Sequence, residues 1–293
     1  TSLGYISLFF NTTGSNNTAI GSQSLMDNTT GYRNSALGFN SLGNNTTGTY
    51  NTALGSEALA SNTTGNHNTA SGNNSLTSNT TGVNNTATGD SSLSDNIAGY
   101  NNTANGMFAL TANTTGYRNS AIGYNSLGNN TSGYNNSAIG SDALSFNTTG
   151  YENTANGYYS LNSNTTGVYN TATGVYSLTD NSTGYYNTAT GYKSLYSNTT
   201  GNYNVSYGYN SLYSNTTGNN NTALGTSSFA NGTAFSNSTG IGYNASPAAS
   251  NTVELGIVLL FPSGAMLIGP TYPMGVLKRI YRKMSSDSNS SKN

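Results

Sequence analysis

An asparagine followed two residues later by serine or threonine is the acceptor signal for N-linked sugar. It recurs in one column of this sequence at Asn11, Asn28, Asn45, Asn62, Asn79, Asn113, Asn130, Asn147, Asn164, Asn181, Asn198 and Asn215. One unit departs from it, at Asn96-Ile97-Ala98. Glycans on that column would coat one edge of the molecule at regular intervals. The same residues have a second reading. In N-T-T-G the asparagine caps the backbone, the hydroxyls bond locally and the glycine supplies a positive φ, so the segment is a turn. Both readings stand on the sequence alone.

Tyrosines form the next pattern that could carry chemistry. One set follows the N-T-T-G segment, at Tyr32, Tyr50, Tyr100, Tyr117, Tyr134, Tyr151, Tyr169, Tyr185, Tyr186 and Tyr203. Another lies at Tyr124, Tyr158, Tyr159, Tyr176, Tyr192 and Tyr209. Aromatic rows of this kind stack on sugars or fill grooves between packed surfaces, and packing is the expected role. Other reactive types are sparse. His67 is the single histidine and there is no cysteine, so neither a metal centre nor an activated nucleophile is expected. Asp27, Asp95 and Asp180 share a column, as do Glu57 and Asp142, but several units separate them. No close carboxylate pair is available for acid–base work. No phosphate-binding loop or dinucleotide fingerprint occurs. The sequence therefore predicts a protein that is not an enzyme and has no catalytic residue, no cofactor and no metal.

These residues are positioned by a tandem repeat. The asparagine that opens N-[TS]-A-x-G stands at Asn17, Asn34 and Asn51, and then at every seventeenth residue to Asn221, without insertion or deletion. The consensus is N-[TS]-A-x-G-x-x-[SA]-L-x-x-N-T-T-G-x-x. The chain opens in phase, with Thr1-Ser2-Leu3-Gly4 as a unit lacking its first asparagine, as expected of a fragment or processed form. The phase persists to Gly240-Ile241-Gly242 and then shortens, so that Gly256 arrives early.

Composition agrees with an ordered but unusual chain. Apolar residues make up 33% and charged residues only 6%. Disorder by the common route needs high net charge and few aromatics, whereas this chain has a net charge of -1 and 23 tyrosines. Its polarity must be organised, as columns of asparagine, serine and threonine. Helix is disfavoured by two glycines and many Ser, Thr and Asn in each unit. The remaining solution is an all-β parallel solenoid, one repeat per turn, with fourteen to fifteen turns stacked about 4.8 Å apart into a rod of roughly 65–70 Å.

The columns supply a core. A small residue recurs at Ala19, Ala36 and Ala53 and onward, with Ser2, Ser206 and Gly240 as variants. A leucine column runs through Leu8, Leu25, Leu42, Leu59, Leu76, Leu93, Leu110, Leu127, Leu144, Leu161, Leu178, Leu195 and Leu212, with Phe229 closing it. The glycines after each strand and after each N-T-T both read as turn residues at positive φ. The asparagine columns suit an internal amide ladder. In N-T-A-x the asparagine and alanine face inward, and threonine and x outward. The x column (Ile20, Leu37, Leu54, Ile122, Ile139 and Leu224 among polar variants) suits a face packed on a partner chain. One Ala and one Leu per turn is a thin core. Burying a Leu gives about 1.5–3 kcal/mol against about 1–2 kcal/mol for ordering each residue, which favours an oligomer.

Segments such as NTAIG at 17–21, NSALG at 34–38, NTALG at 51–55, NSAIG at 136–140 and NTALG at 221–225 resemble the head repeats of trimeric autotransporter adhesins. They are also similar to the NTALG…NTTG arrays of phage and bacterial tail-fibre-like proteins. The resemblance covers residues 1 to about 256. It implies a left-handed parallel β-roll, usually a homotrimer, in an extracellular fibre. The adhesin repeats are shorter and lack N-T-T-G, and no coiled-coil heptads or membrane barrel follow here.

Beyond residue 256 the composition changes. Residues 257–284 hold three of the four prolines and a basic cluster, Lys278, Arg279, Arg282 and Lys283, and read as an apolar and basic cap or docking segment. Residues 285–293 read as a disordered Ser-rich tail. The whole predicts a structural protein of an extracellular fibre or filament at a cell or virion surface. Its expected partner is itself, as a homotrimer or an end-to-end filament, with surface glycans as a further candidate. No nucleic-acid partner and no membrane span are expected. A carbohydrate- or receptor-binding tip module is the alternative, and an ice-binding solenoid a more distant one.

Overall fold

The computed structural model describes residues 1–232 and 234–256. The protein is an all-β parallel solenoid of about fifteen turns, and no helix occurs among the described residues. The predicted cap at 257–284 and tail at 285–293 lie outside the described residues. The chain divides into two compact units, Thr1–Asn170 and a second beginning at Thr171.

In the first unit ten short strands, from Ser2–Leu3 and Thr18–Ile20 to Thr154–Asn156, pair in parallel, each with the next in sequence. The register never slips. Ala36 lies opposite Ala53 and Ala53 opposite Ala70. In the second unit six strands, from Thr171–Thr173 to Val253–Leu255, repeat the plan. The last pairing, Thr239 with Val253, spans 14 residues instead of 17, so the early return of the motif is a shorter closing turn.

Strand residues are only three per turn, yet the hydrogen bonding continues around the coil. Leu25 N–H donates to Ser41 O at 3.0 Å and Asp27 N–H to Gly43 O at 2.9 Å. On the other side Gln23 N–H donates back to Tyr5 O at 2.9 Å. Each coil is thus tied to both neighbours along its perimeter, which leaves few orphan backbone groups. The first threonine of N-T-T joins in: Thr46 Oγ1 donates to Thr63 O at 3.0 Å.

Alternation decides which side chains enter. Ala36, Ala53 and Ala70 are buried and the Thr and x positions beside them face outward. Leu25, Leu42, Leu59, Leu76, Leu93, Leu110, Leu127, Leu144, Leu161, Leu178, Leu195 and Leu212 are all fully buried. The residue before each leucine, Ser or Ala, is buried too, and serine there closes on the strand-end glycine, as Ser75 Oγ does on Gly72 O at 2.9 Å.

Two features of the backbone differ from expectation. The core leucines occupy the left-handed region, with φ of 47° at Leu25 and 53° at Leu110. So do the residues two before each leucine and the residue before each strand asparagine. These non-glycine positions bend the coil, although that region is costly for L-residues. Of the two glycine columns, only the strand-end one has positive φ, as at Gly55 (138°). The N-T-T-G glycines do not, so the expected φ role is corrected there. Their constraint is space: a Cβ on Gly65 would stand 2.9 Å from Asn79 Nδ2 and against the Gly82 carbonyl.

Departures from the consensus are compensated locally. Ser206 replaces the column alanine, and its hydroxyl meets Ser211 O and Ser194 Oγ, each at 2.8 Å. Phe229 replaces a leucine, and Gly240 replaces the alanine above it, where a Cβ would lie 3.4 Å from Phe229 Cβ. Larger and smaller side chains are exchanged so that the layer stays filled.

Candidate functional site

The sequon column lies inside the protein. Asn28, Asn45, Asn62, Asn79, Asn113, Asn130, Asn147, Asn164, Asn181, Asn198 and Asn215 are fully buried, and Asn11 at the first coil is half-buried. Each amide is a rung. Asn62 Nδ2 donates to Asn45 Oδ1 at 2.8 Å and to Gly65 O at 3.1 Å, within its own turn. A second ladder runs parallel, built from the strand asparagines. Asn51 N–H donates to Asn34 Oδ1 at 2.9 Å, and Asn51 Nδ2 to Gly65 O at 2.8 Å. The Gly65 carbonyl therefore accepts from both columns and ties them together across the corner.

This geometry separates the two readings of N-T-T-G. A glycan on Nδ2 replaces one amide hydrogen and needs an open path to solvent. From Asn28 onward the amides are engaged in the ladder and the side chains have no exposed surface. N-linked sugar at the eleven fully buried positions, all but Asn11, is incompatible with the folded coil, which corrects the surface placement that a glycan row requires. Asn96 carries the same message. Its unit lacks the sequon, yet Asn96 Nδ2 donates to Asn79 Oδ1 at 2.7 Å and Asn96 Oδ1 accepts from Asn113 Nδ2 at 2.8 Å. The position holds asparagine where the acceptor signal is lost, because the ladder needs an amide.

The ladder ends at a feature that sequence reasoning missed. Gly232 stands where the next rung belongs, and Asn215 Oδ1 is buried without a hydrogen-bond partner. In the same coil Phe235 replaces the turn glycine and its ring stacks on Phe229, with centroids 6.4 Å apart. An aromatic pair closes the polar interior. The signal was present in the sequence as three coincident departures from the consensus within seven residues, Phe229 to Phe235.

On the outside, tyrosines are brought together as predicted for packing. Tyr100, Tyr117, Tyr134 and Tyr151 stack in sequence at 4.9, 4.9 and 4.7 Å, with rings within 4° of parallel. Their faces cover one another, so the stack presents ring edges and hydroxyls. Burial, then the Tyr151 and Tyr117 phenols, then Glu152 hold the Tyr134 hydroxyl above the usual tyrosine value. His67 lies on Tyr50 at 4.8 Å, nearly parallel. In the second unit Lys193 Nζ sits 5.5–5.8 Å from the rings of Tyr176, Tyr192 and Tyr196.

Among the acids, Asp180 is distinctive. Burial raises its carboxyl above the usual aspartate value. A raised folded-state pKa means the native state binds the proton more tightly than the unfolded chain. Asp180 therefore opposes folding when ionised, and stability falls as pH rises through its folded-state pKa. Asp180→Asn is expected to stabilise the protein at neutral pH and to flatten its stability between mildly acidic and neutral pH. Urea midpoints measured across that range check this, and a neutral or destabilising Asn variant at pH 7 would contradict it.

Among the described residues no group of three or more His, Asp or Glu side chains is placed to hold a metal ion. No helix among them is long and apolar enough to cross a membrane. The sequence matches no protein-family model, and no curated protein is significantly similar to it.

Proposed function

We infer that the protein is a non-enzymatic structural element of an extracellular fibre or filament, assembled from copies of itself. The observation that carries this reading is the direction of the bonding. Backbone amides, two asparagine ladders and threonine hydroxyls all bond from one coil to the next, along the stacking axis. Such an object resists pulling along its axis in the way a spacer must. The interior is occupied largely by amides and hydroxyls that satisfy one another, so the thin apolar core is offset within the chain. Self-assembly therefore rests on the outer surface. There Leu37, Leu54, Ile122 and Ile139 project from the strand face, each 41–48% exposed, on a chain with few charges to oppose close packing. A homotrimer that covers this face is the assembly we propose. The stacked tyrosines count against the saccharide-binding alternative, because their ring faces cover one another.

Light scattering on a sizing column tests the assembly. A native mass near three protomers supports it, and Ile122→Asn with Ile139→Asn should shift that mass downward. A single protomer of 30.2 kDa at working concentrations would exclude the trimer.

A further inference from the structure

The chain has no cysteine and no tryptophan but 23 tyrosines, with five methionines as the other oxidisable side chains. Tyrosine is thus the main source of electrons for a one-electron oxidant. The fold places phenols 17 residues apart in sequence directly over one another. Tyr100, Tyr117, Tyr134 and Tyr151 form an unbroken pile with centroid spacings of 4.7–4.9 Å. In the second unit Tyr192 stacks on Tyr209 and Tyr196 on Tyr213, each pair at 5.3 Å. Parallel in-register backbones bring each pair together on adjacent coils. The rings lie at the surface: Tyr100 is exposed and Tyr117, Tyr134 and Tyr151 are half-buried. An oxidant can reach their solvent-facing edges.

We propose that the stacked tyrosines are sites of oxidative coupling, at which a peroxidase consuming hydrogen peroxide joins neighbouring coils through dityrosine. The peroxide takes one electron and one proton from each of two phenols and leaves as two molecules of water. The two phenoxyl radicals form a carbon–carbon bond between ring Cε atoms. Each of those carbons then gives its hydrogen, as a proton, to restore its own phenol. The net change is two tyrosines and one peroxide converted to one dityrosine and two waters. The product is a covalent staple between successive turns, in a chain that has no disulfide to serve that purpose.

Exposure alone predicts a different outcome. Tyr5 and Tyr243 are 75% and 59% exposed, and neither stacks on another ring among the described residues. Dilute protein is treated with a plant peroxidase and hydrogen peroxide, digested, and its cross-linked peptides sequenced by mass spectrometry. The expected links join Tyr117 to Tyr134 and Tyr192 to Tyr209, each short of two hydrogens, with a yield independent of protein concentration. Tyr134→Phe keeps the ring in place, so it should remove every link to position 134 while leaving the Tyr192–Tyr209 link. The treated protein should unfold at higher urea than the untreated one. Links confined to Tyr5 and Tyr243 that rise with protein concentration would overturn the proposal, as would methionine sulfoxide as the sole product.

Discussion

Asn79→Ala should destabilise the solenoid by about 2–6 kcal/mol, whereas Thr81→Ala, two residues away, should change stability by no more than about 0.5 kcal/mol. Both substitutions destroy the same sequon, Asn79-Thr80-Thr81. Only the first removes a rung. Asn79 Nδ2 donates to Asn62 Oδ1 at 2.7 Å and to Gly82 O at 3.2 Å, and Asn79 Oδ1 accepts from Asn96 Nδ2 at 2.7 Å. Alanine leaves Asn62 Oδ1 and one hydrogen of Asn96 Nδ2 unpaired, at about 1–3 kcal/mol each, while Gly82 O keeps its bond from Asn68 Nδ2 at 2.8 Å. Asn79→Asp keeps the shape but sets a carboxylate against two acceptors. It should be at least as damaging at neutral pH and partly relieved in acid, where the protonated carboxyl donates one bond again. Urea denaturation of the three variants, with amide exchange around residues 62–99 to localise the damage, checks the set. Equal losses from Asn79→Ala and Thr81→Ala would point to the sequon and away from the ladder.

Gly72→Ala should be among the most damaging single changes available, at about 3 kcal/mol or more, or a failure to accumulate folded protein. Two costs coincide. Gly72 has a φ of 141°, in a region that only glycine occupies comfortably. Its Cβ would also stand 2.6 Å from the Gly89 carbonyl carbon, and that backbone belongs to the next coil. Relief would require the coils to separate, which breaks the strand pairing between Thr69–Ser71 and Thr86–Thr88. Gly82→Ala carries the spatial cost alone, since a Cβ would lie 2.8 Å from Asn96 Nδ2 and on the Gly99 carbonyl, and it should be intermediate. Gly43→Ala is the internal control. The same column holds Ala60 and Thr77, and the obstructing group is the end of the Asn40 side chain and not the backbone of another coil, so the change should stay within about 0.5 kcal/mol. Thermal unfolding should rank the three as Gly72, Gly82, Gly43 in decreasing effect. A tolerated Gly72→Ala would mean that the coils pack more loosely than the backbone geometry requires.

Much of this architecture is legible in one dimension because the repeat converts sequence spacing into spatial adjacency. A strict 17-residue period places each residue over its counterpart, so columns in the sequence become columns in space. The leucine and alanine columns, the inward asparagines and the short closing turn all follow from that rule together with strand alternation. The departures Ser206, Phe229 and Gly240 can be seen as irregularities, but their partners cannot be read from spacing alone.

The amino-acid sequence by itself determined the period, the all-β parallel solenoid and the identity of the inward columns. Only the tertiary structure decided what N-T-T-G is for. An acceptor sequon and an amide rung are written with the same residues, and they differ only in whether Nδ2 faces solvent or the coil above. It also decided which backbone carries the turns. Buried leucines such as Leu110 sit at positive φ because ladder bonds to neighbouring coils over-determine a conformation their own propensity disfavours. The N-T-T-G glycines are glycine for want of space beside the next coil, a constraint that exists only once the turns are stacked.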